Sequence, residues 1–178
     1  MAGTIFLDKY QGQSTHDLIG LEATHRIDSL VLAFAEALAK KARKDGMDRL
    51  TRLEKAVLAI EALEREVNNG GFSQFFLNAG EFAADIASAL ESVGLPKTAG
   101  IAGRAVALLG LEGPVTGEKA AEAVLGENQE RDDTFSALDD AFYKYEEDIA
   151  GTLFRFIKDH PEEIELKRSF LRKLGLRR

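Results

Sequence analysis

The chain has 178 residues, with 30 Asp and Glu against 23 Lys and Arg, for a net charge of −7 and no Cys. A chain of this length buries roughly 70% of its unfolded surface without a staple, and the lack of Cys excludes a disulfide framework, a thiolate metal site and a Cys nucleophile. No apolar run approaches the ~20 residues of a membrane span, and residues 1–10 lack the basic leader and apolar core of a secretory signal, so a cytoplasmic protein without a membrane partner is expected.

Pro occurs only three times. Apolar residues recur at helical spacing almost throughout, and no run of period-two alternation appears. The predicted fold is all-α: a compact single-domain bundle of about seven to nine helices. Residues 1–14 are expected to be irregular, 15–165 to form the helical domain, and 166–178 to form a basic C-terminal helix or tail.

In chain order, Ser14 and Thr15 suit the cap of a short helical turn. Ile27, Leu30, Val31, Phe34 and Leu38 form one stripe and predict a helix over 22–44, with Lys40, Lys41, Arg43 and Lys44 at its dipole-favoured end and Gly46 as its stop. Thr51 and Glu54 read as a capping box for a helix that runs to about residue 69. Gly70 suits its left-handed cap, and a short aromatic helix is predicted over 72–78. Phe82, Ile86, Leu90 and Val93 mark the next helix, stopped at Gly94. Pro96 suits the first turn of another, which carries Ile101, Ala105, Leu108 and Leu109. A turn over 110–117 leads to a short helix capped by Thr116 and ending near Leu125. Phe135, Leu138, Phe142, Tyr145 and Ile149 then repeat at 3,4,3,4 spacing. Leu153, Phe156 and Ile157 extend that stripe to Pro161, with Gly151 placed to kink or split the element. A last polar helix is predicted to carry Ile164, Phe170 and Leu171.

Two constellations stand out. The first is the run Asn68, Asn69, Gly70, Gly71, Phe72, Gln74, Phe75, Phe76 and Asn78. Two Gly let the backbone turn sharply. Phe72, Phe75 and Phe76, at i, i+3 and i+4, wedge one face into a core. The amides can pair with backbone groups freed by the break. This describes a folding corner; the alternative is a polar pocket around Asn69, Gln74 and Asn78 for a small ligand or an enzymatic reaction. Buried amides need partners in both cases.

The second is acidic. Residues 112–165 hold 16 acids and 5 bases, whereas 166–178 hold 6 bases and no acid. On one continuous helix, positions seven apart lie nearly in line, ~10.5 Å apart. Asp132, Asp139 and Glu146 would form one column, and Asp133, Asp140 and Glu147 a second. Such rows suit a basic protein partner and repel nucleic acid. The alternative is the ordinary solvated face of an amphipathic helix. No cofactor or metal is expected: the three His are isolated, no pair of Glu-x-x-His motifs at di-iron spacing occurs, and no phosphate loop or nucleophile elbow is present. No catalytic residue is assigned, and a non-enzymatic binding protein is favoured.

The segment Glu61-Ala-Leu-Glu-Arg-Glu-Val-Asn-Asn-Gly-Gly-Phe-Ser-Gln-Phe-Phe-Leu-Asn78 resembles a bacterial DNA-mimic protein family, built on a helical domain long classed as of unknown function. Weaker similarity lies in Leu138-Asp-Asp-Ala-Phe-Tyr143 and in Arg155-Phe-Ile-Lys-Asp-His160. The resemblance spans most of the chain, from about Tyr10 to about Ile164. It implies a helical fold, a tendency to pair as homodimers, and negative surface charge that occupies the basic surface of a DNA-binding regulator. An immunity-type or scaffold protein that binds a basic partner would share the same electrostatics.

Overall fold

The structure is a computed structural model that describes residues 4–167. Among these residues it is all-α, with eight α-helices and two 3-10 turns. The helices are α1 (Thr15–Ile19), α2 (Ile27–Asp45), α3 (Arg52–Ala79), α4 (Ile86–Val93), α5 (Pro96–Ala107), α6 (Gly117–Leu125), α7 (Gln129–Phe142) and α8 (Ile149–Asp159). None of them is long and apolar enough to cross a membrane. The chain divides into two compact units, one formed by residues up to 58 and from 150 onward, the other by 59–149.

In the first unit, α1 packs on α2. Ser14 and Asp17 form a capping box at the start of α1. Thr15 ties the unit's two chain segments together: its hydroxyl donates to the Ile164 carbonyl at 2.6 Å and accepts from the Leu166 N–H at 2.8 Å. The predicted box at α3 forms. Glu54 N–H donates to Thr51 Oγ1 at 3.0 Å, and Thr51 N–H donates to Glu54 Oε2 at 3.1 Å. Glu54 is fully buried, and Lys41 Nζ reaches both of its oxygens, at 2.6 and 2.8 Å. A charge removed from water needs such a partner. Leu30, Phe34, Leu38, Val57, Leu153, Phe154 and Ile157 are buried here.

In the second unit, α4 packs on α5 and α5 on α7. Gly94, at φ 96°, ends α4 in the left-handed region, and Pro96 opens α5. The core is aromatic. Phe72 meets Phe142 edge-on at 6.0 Å between ring centroids, Phe76 lies 5.8 Å from Phe135, and Phe75 lies 5.3 Å from Phe76. These three corner Phe side chains are at most 1% exposed, as the i, i+3, i+4 spacing predicts. Gly80 approaches Gly117 so closely that an added Cβ on either would lie 3.0 Å from backbone of the facing segment.

The structure corrects four expectations. The helix predicted over 22–44 begins only at Ile27, because the preceding residues turn and His25 forms an isolated bridge with Ile5. At the glycine pair, the left-handed residue is Gly71 (φ 75°, ψ −174°), whereas Gly70 has φ −172°. The element predicted from Phe135 to Pro161 does split, but ahead of Gly151: α7 ends at Phe142, Tyr145 takes φ 45°, and α8 starts afresh at Ile149. Tyr145 accordingly leaves the buried stripe and is 43% exposed. No helix follows Pro161 over 161–167, although Ile164 is buried; Phe170, Leu171 and most of the basic tail lie outside the described residues.

Candidate functional site

The glycine break leaves backbone groups of α3 without helical partners, and α7 together with Tyr143, the residue that caps its end, supplies them. Phe72 N–H donates to Asp139 Oδ1 at 2.8 Å, and the Tyr143 hydroxyl donates to the Val67 carbonyl at 2.7 Å. Gly71 is required twice over. Its φ and ψ belong to a region almost reserved for glycine, and a Cβ there would sit 2.3 Å from Asp139 Oδ2. The Asp139 carboxylate therefore occupies the space that the missing side chain leaves.

The corner's amides do not cap the freed backbone, as the sequence suggests they would. Gln74 Nε2 and Asn78 Nδ2 donate to one oxygen of Glu66, at 3.0 and 2.8 Å, and Arg65 Nε donates to the other at 3.0 Å. Glu66 is only 7% exposed. Burial alone would raise its pKa, but the donors Asn78, Gln74 and Arg65 outweigh burial and hold it below the usual glutamate range. Asn68 Nδ2 donates to the Tyr145 hydroxyl at 2.5 Å, and Asn69 is exposed. The amides of Gln74 and Asn78 are thus directed at a carboxylate of the same corner.

The six acidic candidates separate into different environments. Asp132, in the first turn of α7, and Asp133, just after it, are exposed; Asp132 pairs with Arg131 at 2.9 Å, and Asp133 accepts from the Gln129 amide at 2.8 Å. Arg131 also donates to the Ala123 and Gly126 carbonyls at the end of α6, which fixes where α7 begins. Asp140 is exposed, whereas Asp139 is half-buried in the corner. Burial raises the Asp139 pKa; the Phe72 N–H opposes that rise and the neighbouring Asp140 charge adds to it. Glu146 and Glu147 follow the end of α7, so neither continues a column on that helix. Glu146 pairs with Lys97 at 3.0 Å, with both side chains more than half exposed. Glu147 caps α5, accepting from Lys97 N–H at 3.1 Å, Thr98 N–H at 2.8 Å and the Thr98 hydroxyl at 2.7 Å. Burial raises its pKa, but these Thr98 and Lys97 interactions outweigh it and hold the group low.

Sequence reasoning missed Glu66, the structural use of Asp139 and Glu147, and the two tyrosine hydroxyls. The signal for Glu66 was only its place in the segment Glu61–Asn78, ahead of the glycine pair. None existed for Glu147, whose partners are 49 and 50 residues away.

Charge follows the units. Residues 59–149 carry 18 acids and 6 bases, a balance of −12. The described part of the other unit carries 12 of each and is neutral. These features define an all-helical protein with an acidic unit built on a glycine-broken corner that is locked by carboxylates and tyrosines. A family model described as DMP19-like protein matches residues 48–160, well over half of the chain, and the protein belongs to that family. This is the DNA-mimic family that the segment around Gly70 and Gly71 resembles. No curated protein and no solved structure matches the chain.

Proposed function

We propose that the protein is a DNA mimic that binds the basic, DNA-contacting surface of a DNA-binding protein through carboxylates of residues 59–149. The observation that carries this reading is the balance of −12 within those residues, all of which fall inside the segment matched to the DMP19-like family. Asp132, Asp133 and Asp140, exposed on α7, and Glu146, exposed beyond its end, supply outward charge. Asp139 and Glu147 instead position this region, the first by holding the Gly71–Phe72 backbone and the second by capping α5. A partner recognised in this way is steered by long-range attraction and loses affinity as salt rises, because the Debye length is only about 8 Å at physiological ionic strength.

The test uses the full chain, immobilised at low salt and exposed to the DNA-binding fraction of a bacterial extract. A basic DNA-binding protein should be retained and then released by added duplex DNA. The variant Asp132→Lys, Asp133→Lys, Asp140→Lys should keep its helical circular dichroism and lose capture. Capture that survives both the triple substitution and duplex competitor would overturn the proposal.

A further inference from the structure

The acidic unit contains a concave site of opposite character. A cavity of about 210 Å³ opens between the start of α5 and the end of α7. Three of the unit's six basic residues line it: Lys97, Arg104 and Lys144. Its apolar lining includes Ile101, Phe142 and Ile149, and its one acidic lining residue, Glu146, is already paired with Lys97. The N–H groups at the α5 terminus are occupied by Glu147, so the cations available to a ligand are side chains rather than a helix end.

We infer that this cavity binds a small organic monoanion: a single carboxylate carried on a ring-sized apolar body. Size sets the first limit. A dry cavity of about 150 Å³ holds benzene, so 210 Å³ seats one ring and a carboxylate, whereas most of a nucleotide would extend outside it. Charge sets the second. The cations favour an anion, yet the surrounding balance of −12 opposes each further negative charge, which selects a monoanion over a phosphate ester. The apolar lining supplies the rest, because exposed cations contribute little on their own. Tyr145 also lines the cavity and accepts from Asn68 across the corner, so a bound ligand would rest against the residue that joins the two features.

The experiment titrates the full-length ¹⁵N-labelled protein at low ionic strength with benzoate, with benzamide as the neutral isostere, and with inorganic phosphate. Benzoate should produce saturable amide shifts confined to residues 97–104 and 141–149. Benzamide and phosphate should bind at least tenfold more weakly. Arg104→Gln combined with Lys144→Gln, both exposed positions, should preserve the spectrum elsewhere and weaken benzoate at least tenfold. Three results would each overturn the inference: no saturable shift with benzoate, equal binding of benzamide (an apolar cavity only), or equal binding of phosphate (a bare cationic patch). Unchanged benzoate affinity in the double variant would do so as well. Because the readout is a small ligand, it is independent of whether capture of a DNA-binding protein succeeds.

Discussion

Asp139 offers the sharpest test of how the corner is held. Replacing it with Ala removes the acceptor of the Phe72 N–H in a segment where Phe72 is 1% exposed. A buried donor left without a partner costs about 1–3 kcal/mol. For a chain of this size each kcal/mol corresponds to roughly 2–4 °C, so Asp139→Ala should lower Tm by about 2–12 °C. Asn keeps an acceptor oxygen in the same place and removes a charge that burial disfavours, so Asp139→Asn should remain within about 1 kcal/mol of the parent near neutral pH. The pH dependence fixes the sign. The folded protein holds the Asp139 proton more tightly than the unfolded chain does, since its pKa is raised. Ionisation therefore opposes folding, and this contribution is lost as pH rises from the ordinary aspartate range through the folded-state value. Asp139→Asn lacks that loss, so its Tm relative to the parent should be higher at pH 7 than at pH 4. Thermal melts of the three proteins across this range decide the matter. If Ala melts with Asn, the Phe72 bond does not stabilise the corner. If Asn melts with Ala at pH 7, the charge itself is required, contrary to the direction of the raised pKa.

Two further substitutions probe the same region. Gly71→Ala places a side chain at φ 75° and against Asp139 Oδ2, and should cost about 3 kcal/mol by urea titration; in an Asp139→Ala background the added cost should fall by about 1–2 kcal/mol, because only the backbone strain remains. Glu66→Gln turns an amide toward the donors Gln74, Asn78 and Arg65, and should destabilise by about 1–2 kcal/mol at pH 7. Because the folded pKa of Glu66 is lowered, its stabilisation is complete above the ordinary glutamate range and lost as pH falls through the folded value; the gap between parent and Glu66→Gln should therefore close on acidification, and a gap that widens would contradict the assigned hydrogen bonds.

What the sequence made legible was local. The Thr51–Glu54 box, the Thr116 cap, the Gly94 stop and the Pro96 start each depend on residues a few positions apart, and each forms. The aromatic wedge was legible for the same reason. The end of α7 was not. Tyr145 and Ile149 continue the helical spacing, and neither Gly nor Pro marks the break between them. The interruption coincides with a long-range bond, Glu147 to the start of α5, which periodicity along one segment cannot reveal. The corner shows the same limit. Composition announced that Gln74 and Asn78 need partners, but only the turn at Gly70 and Gly71 brings both amides to Glu66.

The same limit governs how the proposed acidic face can be tested. Six carboxylates spaced along a sequence look interchangeable, yet their environments assign them unequal costs of substitution. Exposed ion pairs contribute about 0–1 kcal/mol, so Glu146 can leave Lys97 at small expense when a basic partner approaches; Asp132 is itself exposed, but its partner Arg131 is largely buried and keeps its bonds to the Ala123 and Gly126 carbonyls when Asp132 turns away. Asp133 and Asp140 pair with no base among the described residues and need give up still less. Asp139 and Glu147 cannot turn outward without freeing buried N–H groups of Phe72 and Thr98. A charge reversal at either of those two would weaken binding by disturbing the fold, and so would carry no information about electrostatic recognition. Only the outward four can distinguish a surface that presents charge to a partner from one that is merely solvated, and the distinction requires that they lose capture while the corner remains intact.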